Sequence, residues 1–254
     1  MRAIWTGSIS FGLVNIPVKM FSGSRAHEGL DLNMLHKKDH ARIRYARICR
    51  KDGKEIPYDE IEKGYEYRDG DFVTLTSEDF KKADAHRAES IEVKQFVEES
   101  EIDSRYYDKP YYLEPGKGAD RAYALLRDAL ESSGKVALVK FAMRSRDNMG
   151  ALKPLGNAII LNQMRFPADL RSGADLNFPK KNAAKKEEVE MALKLIKQQT
   201  KHFIPEDWHD TYTEELEDII KDKAKGHKPK KRSEAPTDTK VTDLMATLKA
   251  SLKE

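Results

Sequence analysis

The stretch SISFGLVNIPVKMF, residues 8–21, decides the fold. Ile9, Phe11 and Leu13 alternate with small residues, the period of a half-buried strand. After Gly12 the apolar positions change parity, to Val14, Ile16, Val18 and Met20. A flip of parity turns every side chain to the other face unless the backbone bends, so a bulge or sharp bend is predicted at Gly12, as barrels need at their corners. Pro17 lacks a donor for the ladder, which predicts an edge position or a neighbouring bulge.

Further strands are predicted at DFVTLT (71–76), SIEVKQFV (90–97), KPYYLEP (109–115), KVALVKFAMR (135–144) and NAIILNQMRF (157–166). They are rich in Val, Ile, Phe and Tyr and bounded by Gly, Pro, Asp or Asn. KVALVKF is apolar on both parities until Lys140, the pattern of a central strand. One helix interrupts them: ADRAYALLRDALESSG (119–134) sets Ala122, Leu125, Leu126, Ala129 and Leu130 on one face and stops at Gly134, a natural C-cap. Many strands with few helices point to an α+β chain built on a barrel-like sheet with excursions.

After Pro179 the pattern turns helical. Residues 185–203 carry Val189, Ala192, Leu193, Ile196 and Phe203 on one face. Pro205 breaks the chain, and Thr211 with Glu214 reads as a capping box for a second helix that stops at Gly226. HKPKKRSEAPTDT (227–239) reads as a basic flexible linker. VTDLMATLKASLKE (241–254) has Leu244, Met245, Leu248 and Leu252 at helical spacing. A lone helix of about twelve residues is marginal in water, so it is expected to dock on its own core or on a partner.

The net charge is only +3, yet the charge is segregated. Residues 1–54, 55–134, 135–186, 187–220 and 221–254 carry nets of +7, −10, +8, −7 and +5. Such segregation lets a protein present a basic face to a polyanion without being basic overall. The densest basic stretch is ARIRYARICR (41–50), with Arg42, Arg44, Arg47 and Arg50. In a strand, Arg42 and Arg44 make a basic face and Ile43 and Tyr45 an apolar one, with a shift of register at Ala46. KDGK (51–54) is an Asp-Gly hairpin signal, and Lys37, Lys38, His40, Lys51 and Lys54 extend the patch. Arg144 and Arg146, with Lys153 beyond, form a second candidate group, and Lys228, Lys230, Lys231 and Arg232 a third, in the linker. Lys and Arg neutralise phosphates and release counterions, which gives affinity without base readout.

Chemistry-bearing motifs are weak. PGKG (115–118) lacks the spacing of a phosphate loop, and neither HExxH nor Gly-x-Ser-x-Gly is present. Trp208-His209-Asp210 reads as a joint between helices. Cys49 is the single cysteine, so an internal disulfide and multi-thiolate zinc sites are excluded and a reducing, intracellular setting is expected. There is no run of eighteen apolar residues, so no membrane span is expected. Three readings stay open on these residues: a duplex binder without catalysis, a metal-dependent nuclease, and a single-strand or RNA binder stacking bases on Tyr45, Tyr65, Tyr67, Tyr106 and Tyr107.

WTGSISFGLVNIPVK (5–19), DGKEIPYDEIEKGYEY (52–67), KPYYLEP (109–115), YALLRDAL (123–130) and RFPADLR (165–171) together resemble the bacterial Ku proteins, in order and spacing over about residues 1–225. The first stretch and EKGYEY are the specific ones. The resemblance implies a Ku-core β-barrel over 1–180 with a bridging excursion at about 30–56, a helical arm over 181–226, a linker over 227–240 and the amphipathic segment 241–254. It implies a homodimer whose two bridges close a ring around double-stranded DNA ends, acting in non-homologous end joining in the nucleoid-associated cytoplasm. It further implies recruitment of an ATP-dependent ligase, ligase D, which supplies the chemistry. Ku itself is then no enzyme and needs no cofactor or metal. On that reading the arginines of 41–50 line the ring, and Leu244, Leu248 and Leu252 are ligase-binding candidates.

Overall fold

The computed structural model describes residues 1–25, 30–84, 89–143, 146–181 and 183–227, and of residues 83 and 84 the backbone alone. The chain divides into two compact units. The first comprises Met1–Glu28 and Asn33–Ser172, the second Gly29–Leu32 and Gly173–Glu254.

The first unit is built on a closed seven-stranded barrel. Its strands are β1 (Trp5–Phe11), β2 (Val14–Ser22), β5 (Ser90–Glu98), β6 (Tyr107–Pro115), β7 (Lys135–Met143), β8 (Arg146–Leu155) and β9 (Ala158–Met164). Around the barrel they run β1-β2-β6-β9-β8-β7-β5. Every neighbouring pair is antiparallel except the seam, where Ser8, Ile9 and Ser10 of β1 pair in parallel with Ser90, Ile91 and Glu92 of β5. Closure removes the free edges that would otherwise template association.

The bend predicted at Gly12 is a complete reversal. Phe11 pairs with Val14 across a two-residue turn, and Gly12 takes φ +59°, which a side chain would resist. A turn of two residues and a bulge produce the same flip of parity, which is why the alternation reads through both. Pro17 lies at a local edge, as predicted: residues 14–17 pair with β1 alone, and β6 joins only from Val18. It ends the β2–β6 ladder, where the Gly116 amide donates to the Pro17 carbonyl at 2.8 Å and the next pair is Val18 with Pro115. β7 lies between β5 and β8, the interior position its double-sided apolar run predicts.

Alternation delivers the core. Ile16, Val18 and Met20 of β2 are buried while Asn15, Pro17 and Lys19 between them are exposed. They meet Ile9, Ile91, Leu113, Val139, Phe141, Leu152, Ile159 and Leu161 in one cluster. β8 is the strand the sequence hides, because RDNMGALKPL has neither a β-branched run nor clean alternation. Pairing on both sides makes it a strand, and a Cβ on Gly150 would come within 2.7 Å of Leu161 Cδ1 and 2.9 Å of the Asn162 carbonyl.

The helix expected at 119–134 is α2 (Asp120–Ser133), capped by Gly134 in the left-handed conformation. Its buried face is Tyr123, Leu126 and Leu130; Leu125, placed on that face by spacing, is 67% exposed. The Tyr123 hydroxyl explains the rotation. It donates to the Leu113 carbonyl and accepts from the Ile159 amide, both at 2.6 Å, so the helix is anchored to β6 and β9 through a polar atom. Burial pushes the Tyr123 phenol above its ordinary value, so it stays a donor throughout the physiological range.

Between β2 and β5 lies a second, two-stranded sheet, β3 (Lys63–Arg68) with β4 (Asp71–Leu75), followed by α1 (Ser77–Asp84). The strand expected at 71–76 is therefore β4 and stands apart from the barrel. α1 starts on a reciprocal cap: Thr76 Oγ1 donates to Asp79 Oδ2 at 2.7 Å, and the Asp79 amide donates to Thr76 Oγ1 at 3.3 Å. The Thr76 hydroxyl first, and the Thr76 amide after it, hold the Asp79 carboxyl below its ordinary range.

In the second unit, α3 (Lys186–Gln199) stops short of Phe203, and α4 spans Thr211–Ala224. Asp210, not Thr211, is the N-cap of α4, accepting from the Tyr212 and Thr213 amides at 3.1 and 3.2 Å. Asp takes the cap because its carboxylate reaches two orphan amides and complements the helix dipole. Neither helix buries a residue. Among the described residues, no helix is long and apolar enough to cross a membrane.

Candidate nucleic-acid interface

The basic stretch lies in the segment 33–62 that leads from β2 to β3. It forms three antiparallel legs. The first, 34–36, meets the second at Leu35–Arg42, with the Ile43 amide donating to the Met34 carbonyl at 3.0 Å. The turn between them is held by Asp39, whose carboxylate accepts from the Ala41 amide at 3.0 Å and contacts His36 Nδ1 at 2.8 Å. Those two contacts, the Ala41 amide first, hold the Asp39 carboxyl below its usual range. His40 sits in this turn at φ +57°.

The second leg meets the third at Ile48–Glu55, with the Ile56 amide donating to the Arg47 carbonyl at 2.8 Å. The KDGK turn closes as its sequence predicts, with Gly53 at φ +72° and the Cys49 amide donating to the Lys54 carbonyl at 2.8 Å. The middle leg is extended, but it is not the continuous strand expected. It changes partners on either side of Ala46, and each partner supplies only an isolated bridge. The shift of register read at Ala46 is this change of partner.

Arg42, Arg44 and Arg47 therefore share one extended leg, with Lys37 and Lys38 at the turn before it, Arg50 and Lys51 in the turn after, and Lys54 where that turn closes. Arg44 Nη2 approaches Glu55 Oε2 at 3.9 Å and Lys54 Nζ approaches Asp52 Oδ2 at 3.8 Å, both pairs well exposed. Among the described residues, Lys37, Lys38, Arg42, Arg47, Arg50 and Lys51 have no carboxylate within ion-pair reach. Arg47 instead lies over the ring of Tyr58, its Cζ 4.9 Å from the centroid. Sequence reasoning missed this contact. The 47–56 pairing that brings Tyr58 opposite Arg47 is visible only once the legs are folded back.

The same leg exposes its apolar side. Ile43 and Ile48 are half exposed, and Tyr45 is 86% exposed although its hydroxyl reaches Met34 Sδ at 3.6 Å. From residue 33 to residue 82, every residue except Cys49 and Ile56 is exposed, and those two are half-buried. β3 and β4 contribute Tyr65, Tyr67, Phe72, Val73 and Leu75 to this uncovered surface.

The second predicted group is not brought together in the same way. Arg146 opens β8 opposite Met143 and is exposed. Lys153, seven residues along the same strand, is spoken for by Glu99: Nζ lies 2.6 Å from Oε1. Glu99 also raises the Tyr107 phenol, after burial, which is the larger cause. Arg144 lies outside the described residues, as do Lys228, Lys230, Lys231 and Arg232 and the three leucines Leu244, Leu248 and Leu252. Of the Trp208-His209-Asp210 grouping, the carboxylate is engaged as the cap of α4.

Residues 10–191 match the family described as the Ku70/Ku80 beta-barrel domain. Over its whole length the chain is 39% identical to the non-homologous end joining protein Ku of Opitutus terrae, of which it covers 92%. It is 39% identical to the protein of that name from Archaeoglobus fulgidus, again over its whole length and covering 99% of it. With the Ku of Bacillus subtilis the identity is 36% over 99% of the chain and 82% of the relative. A closed β-barrel of this topology and a family match over most of the chain agree: the chain belongs to the Ku family.

Proposed function

We propose that the chain binds double-stranded DNA ends without base readout, as a homodimer whose two bridging excursions, at about 30–56, close a ring, and that it serves non-homologous end joining by holding or protecting ends. One observation carries this reading. The segment between β2 and β5 combines unpaired cations on an extended leg with an apolar surface that a single copy leaves uncovered. Exposed apolar area of that extent marks an interaction surface, and a second copy is the partner that brings the same surface and the same arginines. Phosphate contacts position a duplex without reading it, and a closed ring loads only where a duplex stops. The names of the relatives support the same role.

Lys37, Lys38, Arg42, Arg44, Arg47, Arg50, Lys51 and Lys54 face the phosphates, with Arg144, Arg146 and Lys153 and the tail residues Lys228, Lys230, Lys231 and Arg232 as further contacts. The core with its bridge covers 1–180 and the helical arm 181–226. The segment carrying Leu244, Leu248 and Leu252 docks ligase D, which supplies the bond-forming step.

The test is a competition gel shift. A labelled linear duplex is challenged with equal masses of fragmented linear plasmid, covalently closed plasmid and single strands. Fragments outcompeting circles by a wide margin are expected. Equal competition by circles means an open phosphate-binding surface and overturns the ring. Tighter binding to single strands favours base stacking on the exposed tyrosines instead.

A further inference from the structure

The cations of the middle leg and the turn after it have three kinds of surroundings, and among the described residues Arg42 and Arg50 have neither a carboxylate nor a ring in reach. Arg44 and Lys54 each have a carboxylate within 4 Å, Glu55 at 3.9 Å and Asp52 at 3.8 Å, which offsets their charge across the gap. Arg47 is steadied by a neutral ring instead, 4.9 Å from the Tyr58 centroid. The contact is built into the backbone. The Ile56 amide donates to the Arg47 carbonyl at 2.8 Å, Pro57 leads out of that pairing at φ −58°, and Tyr58 opens a short 3-10 turn closed by the Ile61 amide on its carbonyl. Tyr58 is 73% exposed, so its ring does not serve as core. A guanidinium held over an aromatic face keeps its full charge and spends none of its in-plane N–H donors on a carboxylate, which leaves them for a phosphate. A carboxylate partner instead offsets part of the cation's charge.

We propose that Tyr58 is a positioning residue for Arg47. Its ring forms a shelf that holds the guanidinium in a phosphate-ready orientation, making Arg47 the most effective single phosphate contact of the leg. The inference rests on the proposed phosphate-binding role of 41–54.

A double-mutant cycle tests it, read as affinity for a short linear duplex across a salt series. Arg47→Ala is expected to weaken binding and to lower the slope of log K against log salt by about 0.9 for each copy of the leg that contacts DNA. Tyr58→Leu is expected to weaken binding about two- to five-fold per copy, the worth of an exposed cation–π contact. Tyr58→Phe, which keeps the ring, should bind as the parent does. In an Arg47→Ala background, Tyr58→Leu should add nothing. If Y58L costs the same in both backgrounds, or if Y58F is as damaging as Y58L, Tyr58 props the leg or touches DNA itself and the inference is overturned while the phosphate reading stands. If Arg47→Ala leaves both affinity and slope unchanged, the phosphate reading of the leg fails, and the inference with it.

Discussion

The barrel and the segment between β2 and β5 belong to one compact unit, yet they are built on opposite terms. The barrel with α2 and its N-cap Ala119 supplies every buried hydrophobic side chain described. Residues 33–82 supply none, and spend Ile43, Tyr45, Ile48, Tyr65, Phe72 and Val73 on the surface. A sheet closed on itself satisfies its backbone and buries one face without help. A meander held by isolated bridges and a two-stranded ribbon cannot do so alone. The difference teaches that the stability of this chain and its proposed binding function reside in different residues, so the two should separate by mutation.

The largest effect expected is on binding. Changing Arg42, Arg44 and Arg47 together to Glu should abolish duplex binding in a gel shift while leaving the thermal unfolding of the barrel unchanged; retained affinity would dissolve the functional half of the comparison. In the barrel, Phe141→Ala should destabilise by about 3–5 kcal/mol, the range for truncating a buried aromatic, measured by urea unfolding. Tyr123→Phe should follow at about 1–3 kcal/mol, since it strands the Ile159 amide and Leu113 carbonyl inside. Ile43→Asp sharpens the contrast: it should leave barrel unfolding within about 0.5 kcal/mol but shift sedimentation toward monomer. A dimer that survives it would remove the apolar side of the leg from the interface.

The smallest effect concerns the turn before the leg. The Asp39 carboxyl is held below its ordinary value of 3.8 by the Ala41 amide and His36. A group with a depressed folded-state pKa contributes stability that is present above the unfolded value and is lost as pH falls through the folded one. Amide exchange at Ala41 should therefore accelerate below about pH 4, relative to barrel amides, and Asp39→Asn should flatten that pH dependence.

How far each region could be read from its residues follows the same division. β2 shows its burial pattern in plain alternation, α2 shows its C-cap at Gly134, and KDGK shows its turn, because each depends on neighbours within a few positions. β8 was unreadable, since its strand state comes from β7 and β9 on its flanks rather than from its own composition. α1 did carry a signal, the Thr76–Asp79 cap, but too short a helix followed it to show a period. In the interface, the arginine run was legible as charge. Its pairing with Glu55 and Tyr58 was not, because those contacts arise only when the leg folds back.

By itself the sequence determined the α+β barrel class, the segregation of charge and the cluster of arginines, all of them properties of periodicity and composition. Tertiary structure alone decided that the parity flip at Gly12 is a hairpin, that Tyr123 rather than Leu125 faces the core, and which cations are left without a carboxylate. The physical reason is one of range. Alternation and caps are set by adjacent residues, whereas the partner of a hydroxyl or a guanidinium is chosen by whichever distant strand or leg is packed beside it.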